Sequence, residues 1–235
     1  MRIINWNVKW ASANSKWGPV ILEEILSRVP EVVCITEGYK GFMDAGYTIT
    51  SHEDYGYKLT PGRRKVMLWS KNPWKYVDTI GSESLPGGRF VSGLTSTSRG
   101  DIRFIGVCIP WRDAHARTGR KDKGMWEEHI SYLKGLREII DENTATTTIL
   151  LGDFNERIPR FGQPENVFNE LIGTIPGNLT VATTGSIPTI NKPTIDHVCH
   201  TKDLVSKSIS TIENKTKDGQ FLSDHFGVVV EFYRK

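Results

Sequence analysis

Cysteine is scarce in this chain. Only Cys34, Cys108 and Cys199 occur in 235 residues, and each lies inside an apolar run. An odd count in such settings favours reduced, buried thiols over a disulfide framework, and so a reducing, cytoplasmic compartment. Long apolar runs are also missing. No stretch approaches the ~20 residues that span a bilayer. The opening Met1 to Trp10 carries Asn5, Asn7 and Lys9, which a secretory h-region excludes. No membrane partner is expected. No Pro/Ser/Gly-rich linker and no charge block divides the chain, so residues 1–235 read as a single domain with ample length for a core. No short repeat recurs. A strong charge bias is absent too: the net charge of +3 permits a polyanionic partner without demanding one.

Strand signals dominate what is present. Short runs rich in β-branched and aromatic residues begin at Ile3, Val32, Lys65, Phe90, Ile102, Thr147, Thr194, Leu204 and Phe226, with Gly, Pro, Asn and Asp between them. Helical spacing appears in Trp17, Val20, Ile21, Ile25 and Val29, and again in Trp126, Ile130, Leu133, Leu136 and Ile140. A shorter helix is expected over Glu165 to Leu171. The first strand, helix and second strand read as a βαβ unit, which argues against an all-β sandwich. Two packed sheets with helices outside are expected. Basic residues form two groups. Arg112, Arg117, Arg120, Lys121 and Lys123 crowd one loop, and Arg63, Arg64 and Lys65 form the other. The first follows the Ile102 to Ile109 strand, which suggests a phosphate-binding role.

Acids and amides fall where apolar strands run out. Asn7 and Glu37 follow the first two strands, and Asp153 and Asn155 follow Ile149-Leu150-Leu151-Gly152. A carboxylate at such an exit must find water, a cation or a donor. Gly152 permits a tight turn or a close backbone approach. Ser223-Asp224-His225 is not a serine-hydrolase triad, because neighbours in an extended strand face opposite ways. Asp224 is a candidate metal ligand. His225 then needs a carboxylate from elsewhere to fix its tautomer, and Asp196 is the natural candidate. His197, Cys199 and His200 alternate across a strand and read as core or edge residues rather than a zinc site.

Together these segments resemble the endonuclease/exonuclease/phosphatase superfamily, which includes DNase I-like enzymes. Asn5-Trp6-Asn7-Val8 resembles its opening strand, and Ile35-Thr36-Glu37 its metal-binding Gln-Glu motif, with Thr36 in place of Gln. Gly152-Asp153-Phe154-Asn155, Ile195-Asp196-His197-Val198 and Ser223-Asp224-His225 follow in the family's order. The resemblance implies a four-layer α/β sandwich, two packed mixed β-sheets flanked by helices. It implies a divalent cation, Mg²⁺ with Mn²⁺ as a substitute, held by Glu37 with Asn7 and Asp224. It implies Asp153 as the group that orients or deprotonates water, and Asn155 as a phosphate contact. His225, buttressed by Asp196, would contact phosphoryl oxygens. Cys108 stands where abasic-site nucleases carry a catalytic Tyr. His115 is the candidate second catalytic histidine, with a surface-loop imidazole as its ordinary alternative. Trp111 and Arg112, with Arg117 further along the loop, are candidate substrate contacts, although the size of Trp111 favours packing under the basic loop.

The expected function is a Mg²⁺-dependent phosphodiesterase acting on nucleic acid, DNA foremost. A small or lipid phosphoester is the alternative substrate. A non-catalytic binding module is the third reading, weakened by the retention of Glu37, Asp153, Asp224 and His225. No obligate protein partner is implied.

Overall fold

The computed structural model describes residues 1–141 and 146–234. The chain opens with β1 (Arg2–Asn7), α1 (Gly18–Ser27) and β2 (Val32–Tyr39). The two strands pair in parallel, so α1 is the crossover of a βαβ unit. Next come β3 (Tyr47–Thr50), β4 (Arg63–Ser70), β5 (Trp74–Asp78), β6 (Phe90–Thr97) and β7 (Gly100–Cys108). A second crossover follows: α2 (Glu127–Asp141) leads to β8 (Thr148–Asp153), which lies parallel to β7. The remainder is α3 (Glu165–Thr174), β9 (Leu179–Val181), β10 (Ser186–Ile187), β11 (Lys192–Pro193), β12 (Asp196–Thr201), β13 (Leu204–Ile212) and β14 (Gly227–Arg234).

These strands form two mixed six-stranded sheets. One runs β13-β14-β1-β2-β4-β3 and the other β5-β6-β7-β8-β12-β9, while β10 and β11 form a separate ribbon. Between the sheets lie Ile3, Cys34, Val66, Leu68, Phe104, Ile149, Leu151 and Val228, all buried. Outside the first sheet, α1 packs Ile21 and Ile25, one turn apart, against Ile4, Trp6 and Val33. Outside the second, α2 and α3 pack Tyr132, Leu133, Leu136 and Leu171 against Ile105, Val107 and Leu150. Each fully buried Leu or Ile contributes about 1.5–3 kcal/mol. The result is the four-layer α/β sandwich expected from the sequence.

Topology then brings the motif segments to one edge. β12 is antiparallel to β8, so its first residue, Asp196, lies directly opposite Asp153 at the end of β8. β14 is antiparallel to β1, so the turn that precedes it reaches the exit of β1 at Asn7. Two local details differ from the sequence reading. Glu37 is not at a strand exit but inside β2, in the left-handed region with φ +50°. Ser223, Asp224 and His225 precede β14 and lie outside any strand, with Asp224 and His225 in a bend.

Candidate active site

The end of β8 is shaped by Gly152. Its φ is +146°, and a Cβ there would stand 1.8 Å from the Val107 carbonyl oxygen. Only glycine allows β7 and β8 to approach so closely. Buried Asn5 ties the sheets together, its Nδ2 donating to the Gly152 carbonyl at 2.9 Å and to the His197 carbonyl at 3.3 Å. Asn7 donates from Nδ2 to Asp153 Oδ2 at 2.9 Å. The other carboxylate oxygen, Oδ1, accepts the Asn155 backbone N–H at 2.9 Å, closing an Asx turn. Asn155 has φ +55°, and its side-chain amide donates to the Ile109 carbonyl at 2.9 Å.

His225 is held from several sides. Its Nδ1 lies 2.7 Å from Asp196 Oδ2, its backbone N–H donates to Ser223 Oγ at 3.2 Å, and its carbonyl accepts the Trp6 indole N–H at 2.9 Å. Ser223 Oγ in turn donates to the Asn7 carbonyl at 2.7 Å. With Nδ1 engaged by Asp196, Nε2 is the ring nitrogen left for a ligand. Asp196 Oδ1 is buried without a partner among the described residues. Ligand atoms of Asp153, Asp196 and His225 all lie within 4.8 Å of one another.

Charge and burial conflict here. Burial, then the opposing carboxylate of Asp196, pushes the Asp153 carboxyl from its ordinary 3.8 to about 7, with Glu37 adding to the rise. Burial disfavours a charged His225, yet Asp196, Asp153 and Asp224 outweigh it and raise the imidazole to about 10. The buried face behind the site is different in character. His197 is completely buried, with Nδ1 against Thr183 Oγ1 at 2.9 Å and Nε2 against the Glu156 carbonyl at 3.0 Å. Burial lowers its imidazole to about 4, so it stays neutral. Cys199 packs beneath the helices and His200 beside Phe232, in keeping with their alternation.

A cavity of about 540 Å³ covers this edge. Asn7, Glu37, Asp153, Asn155, His225 and Trp111 line it. Trp111 is 41% exposed and stands between this cavity and the neighbouring groove, so it is not a packing residue. The other sequence candidates lie apart. Asp224 faces an adjacent pocket, where Lys9 Nζ pairs with it at 3.2 Å. Arg112 forks onto Asp113 at 2.9 Å and borders the neighbouring groove, and Arg117 extends to solvent beside the same acid. His115 is neither a surface imidazole nor part of the cavity lining. It is fully buried behind Tyr57, with ring centroids 4.6 Å apart, and its Nδ1 accepts the Arg120 backbone N–H.

Sequence reasoning noted Arg63 and Lys65 only as part of a basic group and missed the cationic, aromatic part of the wall to which they belong. Lys58, Arg63, Lys65, Arg89, Trp10, Tyr55 and Tyr57 line the same cavity. Lys65 Nζ meets Glu37 Oε1 at 2.5 Å. Arg63 and Lys65, at the start of β4, thus face the acids, whereas Arg64 turns to Glu53 and the Arg112 to Lys123 loop largely lies elsewhere. A signal was available: Lys65 and Arg89 each abut an apolar strand, so each must find a partner. Cys108 is also in the lining, 1% exposed, with its thiol pushed up to about 12 by burial.

Known proteins share this fold. The sequence model of the Endonuclease/Exonuclease/phosphatase family matches residues 4–225. No curated protein matches the chain in sequence. Among solved structures, an AP endonuclease from Archaeoglobus fulgidus superposes with a TM-score of 0.72 at 14% identity, over 99% of this chain and 99% of that one. The 3′ phosphatase NExo from Neisseria, bound to a product DNA hairpin, gives 0.70 at 20% identity over 99% of each chain. TDP2 from D. rerio, complexed with a single-strand DNA product, gives 0.70 at 14% identity over 99% of this chain and 98% of that one. No described helix is long and apolar enough to cross a membrane. With the family motifs on one edge of a shared four-layer fold and the family model matching nearly end to end, the chain belongs to the endonuclease/exonuclease/phosphatase family.

Proposed function

We propose that this chain hydrolyses phosphodiester bonds in nucleic acid, DNA foremost, by in-line attack of water assisted by a divalent cation. One observation carries the reading: Asp153, Asn155 and the Asp196-held His225 converge on a single cavity. Raised to about 7, Asp153 has the proton affinity of a general base near neutrality, and it takes a proton from the attacking water. His225 keeps its proton up to about 10 and offers Nε2–H to a phosphoryl oxygen. Asn155 spends one amide N–H on Ile109, which leaves the other for the same phosphate.

The donor set fits a hard cation. Its donors are chiefly oxygens, Asp196 Oδ1 is buried and unpartnered among the described residues, and Asp153 is crowded by Asp196 and Glu37. Glu37 and Asn7 would hold Mg²⁺, or Mn²⁺ in its place. Asp224 would join them only by leaving Lys9. When bound, the ion would polarise water and neutralise charge on the phosphoryl oxygens. The free, buried cysteines support a cytoplasmic setting.

Purified protein is tested on plasmid, labelled single strands, duplex, RNA and a bis-aryl phosphodiester, with Mg²⁺ and with chelator. Cleavage that stops with chelator is expected. Absence of metal-dependent turnover on every phosphoester overturns the reading in favour of a binding module. A second reading, a small phosphoester as substrate, is favoured by the position of Arg112 and Arg117 outside the cavity. Faster turnover of the small ester than of any nucleic acid would select it.

A further inference from the structure

We infer that Lys58, Arg63, Lys65 and Arg89 form a second anion subsite, which takes a terminal phosphate monoester on the substrate. The inference rests on the phosphodiesterase reading and names the substrate class of that same cavity: a phosphate-bearing nucleic-acid end.

Arg89 is the central observation. It is 2% exposed, lines the cavity, and has Nη2 buried without a partner among the described residues. Its only side-chain hydrogen bond there is a long one, from Nη1 to the Cys108 carbonyl at 3.4 Å. A guanidinium in this state is costly unless an anion completes it. Its neighbours do not supply one. Of the four cations, only Lys65 has a carboxylate within ion-pairing distance among the described residues, and that is Glu37. Arg63 spends Nε on the Tyr39 hydroxyl.

The aromatic residues hold three of these charges in place without neutralising them. Arg63 lies 4.6 Å and Lys65 4.9 Å from the Trp10 ring, and Arg89 lies 5.9 Å from both Tyr55 and Tyr57. Trp10 and Tyr55 stack at 5.9 Å, which stiffens the wall. A phosphate monoester brings roughly two negative charges and three acceptor oxygens, which suits several converging cations. A diester phosphate brings one charge, and in the proposed reaction Asn155 and His225 already receive it. A cavity of about 540 Å³ has the size of a site for a nucleotide-scale ligand.

Dinucleotides of one sequence, with and without a phosphate at either end, test the subsite. The wild-type protein is expected to prefer one phosphorylated form by about tenfold or more in kcat/KM, mainly through KM. Arg89→Gln is expected to bring that ratio toward one, and Arg89→Lys to retain part of it. Lys58→Gln, at an exposed position, is a second variant expected to lower the ratio without threatening the fold. Calorimetric titration with inorganic phosphate gives an independent reading. Cleavage with no preference for either phosphorylated end overturns the subsite and spares the phosphodiesterase reading. Arg89-dependent phosphate binding without turnover of any phosphoester does the reverse. A preference that survives in folded Arg89→Gln also overturns the subsite.

Discussion

Replacing Asp153 with asparagine is expected to abolish hydrolysis and, in metal-free buffer, to make the protein more stable. Asp153 lies directly opposite Asp196, buried, and its carboxyl is raised from 3.8 to about 7. The folded state therefore binds this proton more tightly than the unfolded chain does. The sign follows: stability falls as pH rises from about 4, and the loss is complete above about 7. At roughly 1.36 kcal/mol per pH unit, the loss is about 4 kcal/mol. The Asp153→Asn variant would escape it but would give up one hydrogen bond. Whichever way its amide turns, either the Asn155 N–H or Asn7 Nδ2 loses its acceptor, at about 1 kcal/mol. The attraction of charged His225 already opposes the rise to about 7, so its loss adds no further cost. A net gain of about 3 kcal/mol raises Tm by about 6–12 °C in a domain of this size. Differential scanning calorimetry with chelator at about pH 8 should show that gain, and at about pH 4.5 little of it. A lower Tm at the alkaline pH, or a gain independent of pH, would refute the argument that buried like charges dominate the site.

Further outcomes follow from the same geometry. In Asp196→Asn, burial still opposes the His225 charge but its main counter-ion is gone, so the alkaline limb of kcat/KM should move from near 10 toward neutrality by about one pH unit or more. An unmoved limb would dissociate His225 from the reaction. The same pair stabilises the fold below about pH 6.5, and that contribution is lost as pH rises through about 10. Gly152→Ala should lose about 3 kcal/mol or more, seen as insoluble protein or a markedly lower Tm, because the added methyl meets the Val107 carbonyl. Reversing charge at Arg112 and Arg117 should make the salt dependence of long-duplex binding shallower by about one to two logarithmic units per decade. An unchanged slope would remove the loop from the interface.

Much of the architecture was legible in the chain. The spacing of Ile21 and Ile25 between two apolar strands gave the βαβ unit, and the segments around Asp153, Asp196 and His225 indicated their own meeting place. Periodicity reports which face of an element is buried, and a strand exit reports where a carboxylate needs a partner. Neither reports how a turn aims a side chain. Asp224 illustrates this: the bend before β14 turns it to Lys9 and away from the cavity. Glu37 was expected at a strand end, yet β2 runs past it with one residue in the left-handed region. The strand positions of Lys65 and Arg89 showed that each needs a partner but not that they share one cavity, because they come from strand beginnings on two different sheets and only the packing of those sheets brings them together.

Cys108 lines the cavity, but burial keeps its sulfur protonated far above any cellular pH. Alkylating agents and peroxide attack the thiolate, so burial is expected to slow both at this sulfur. Turnover is therefore expected to survive peroxide and alkylating agents that disable a cysteine-dependent hydrolase. That turnover can be followed without added reductant.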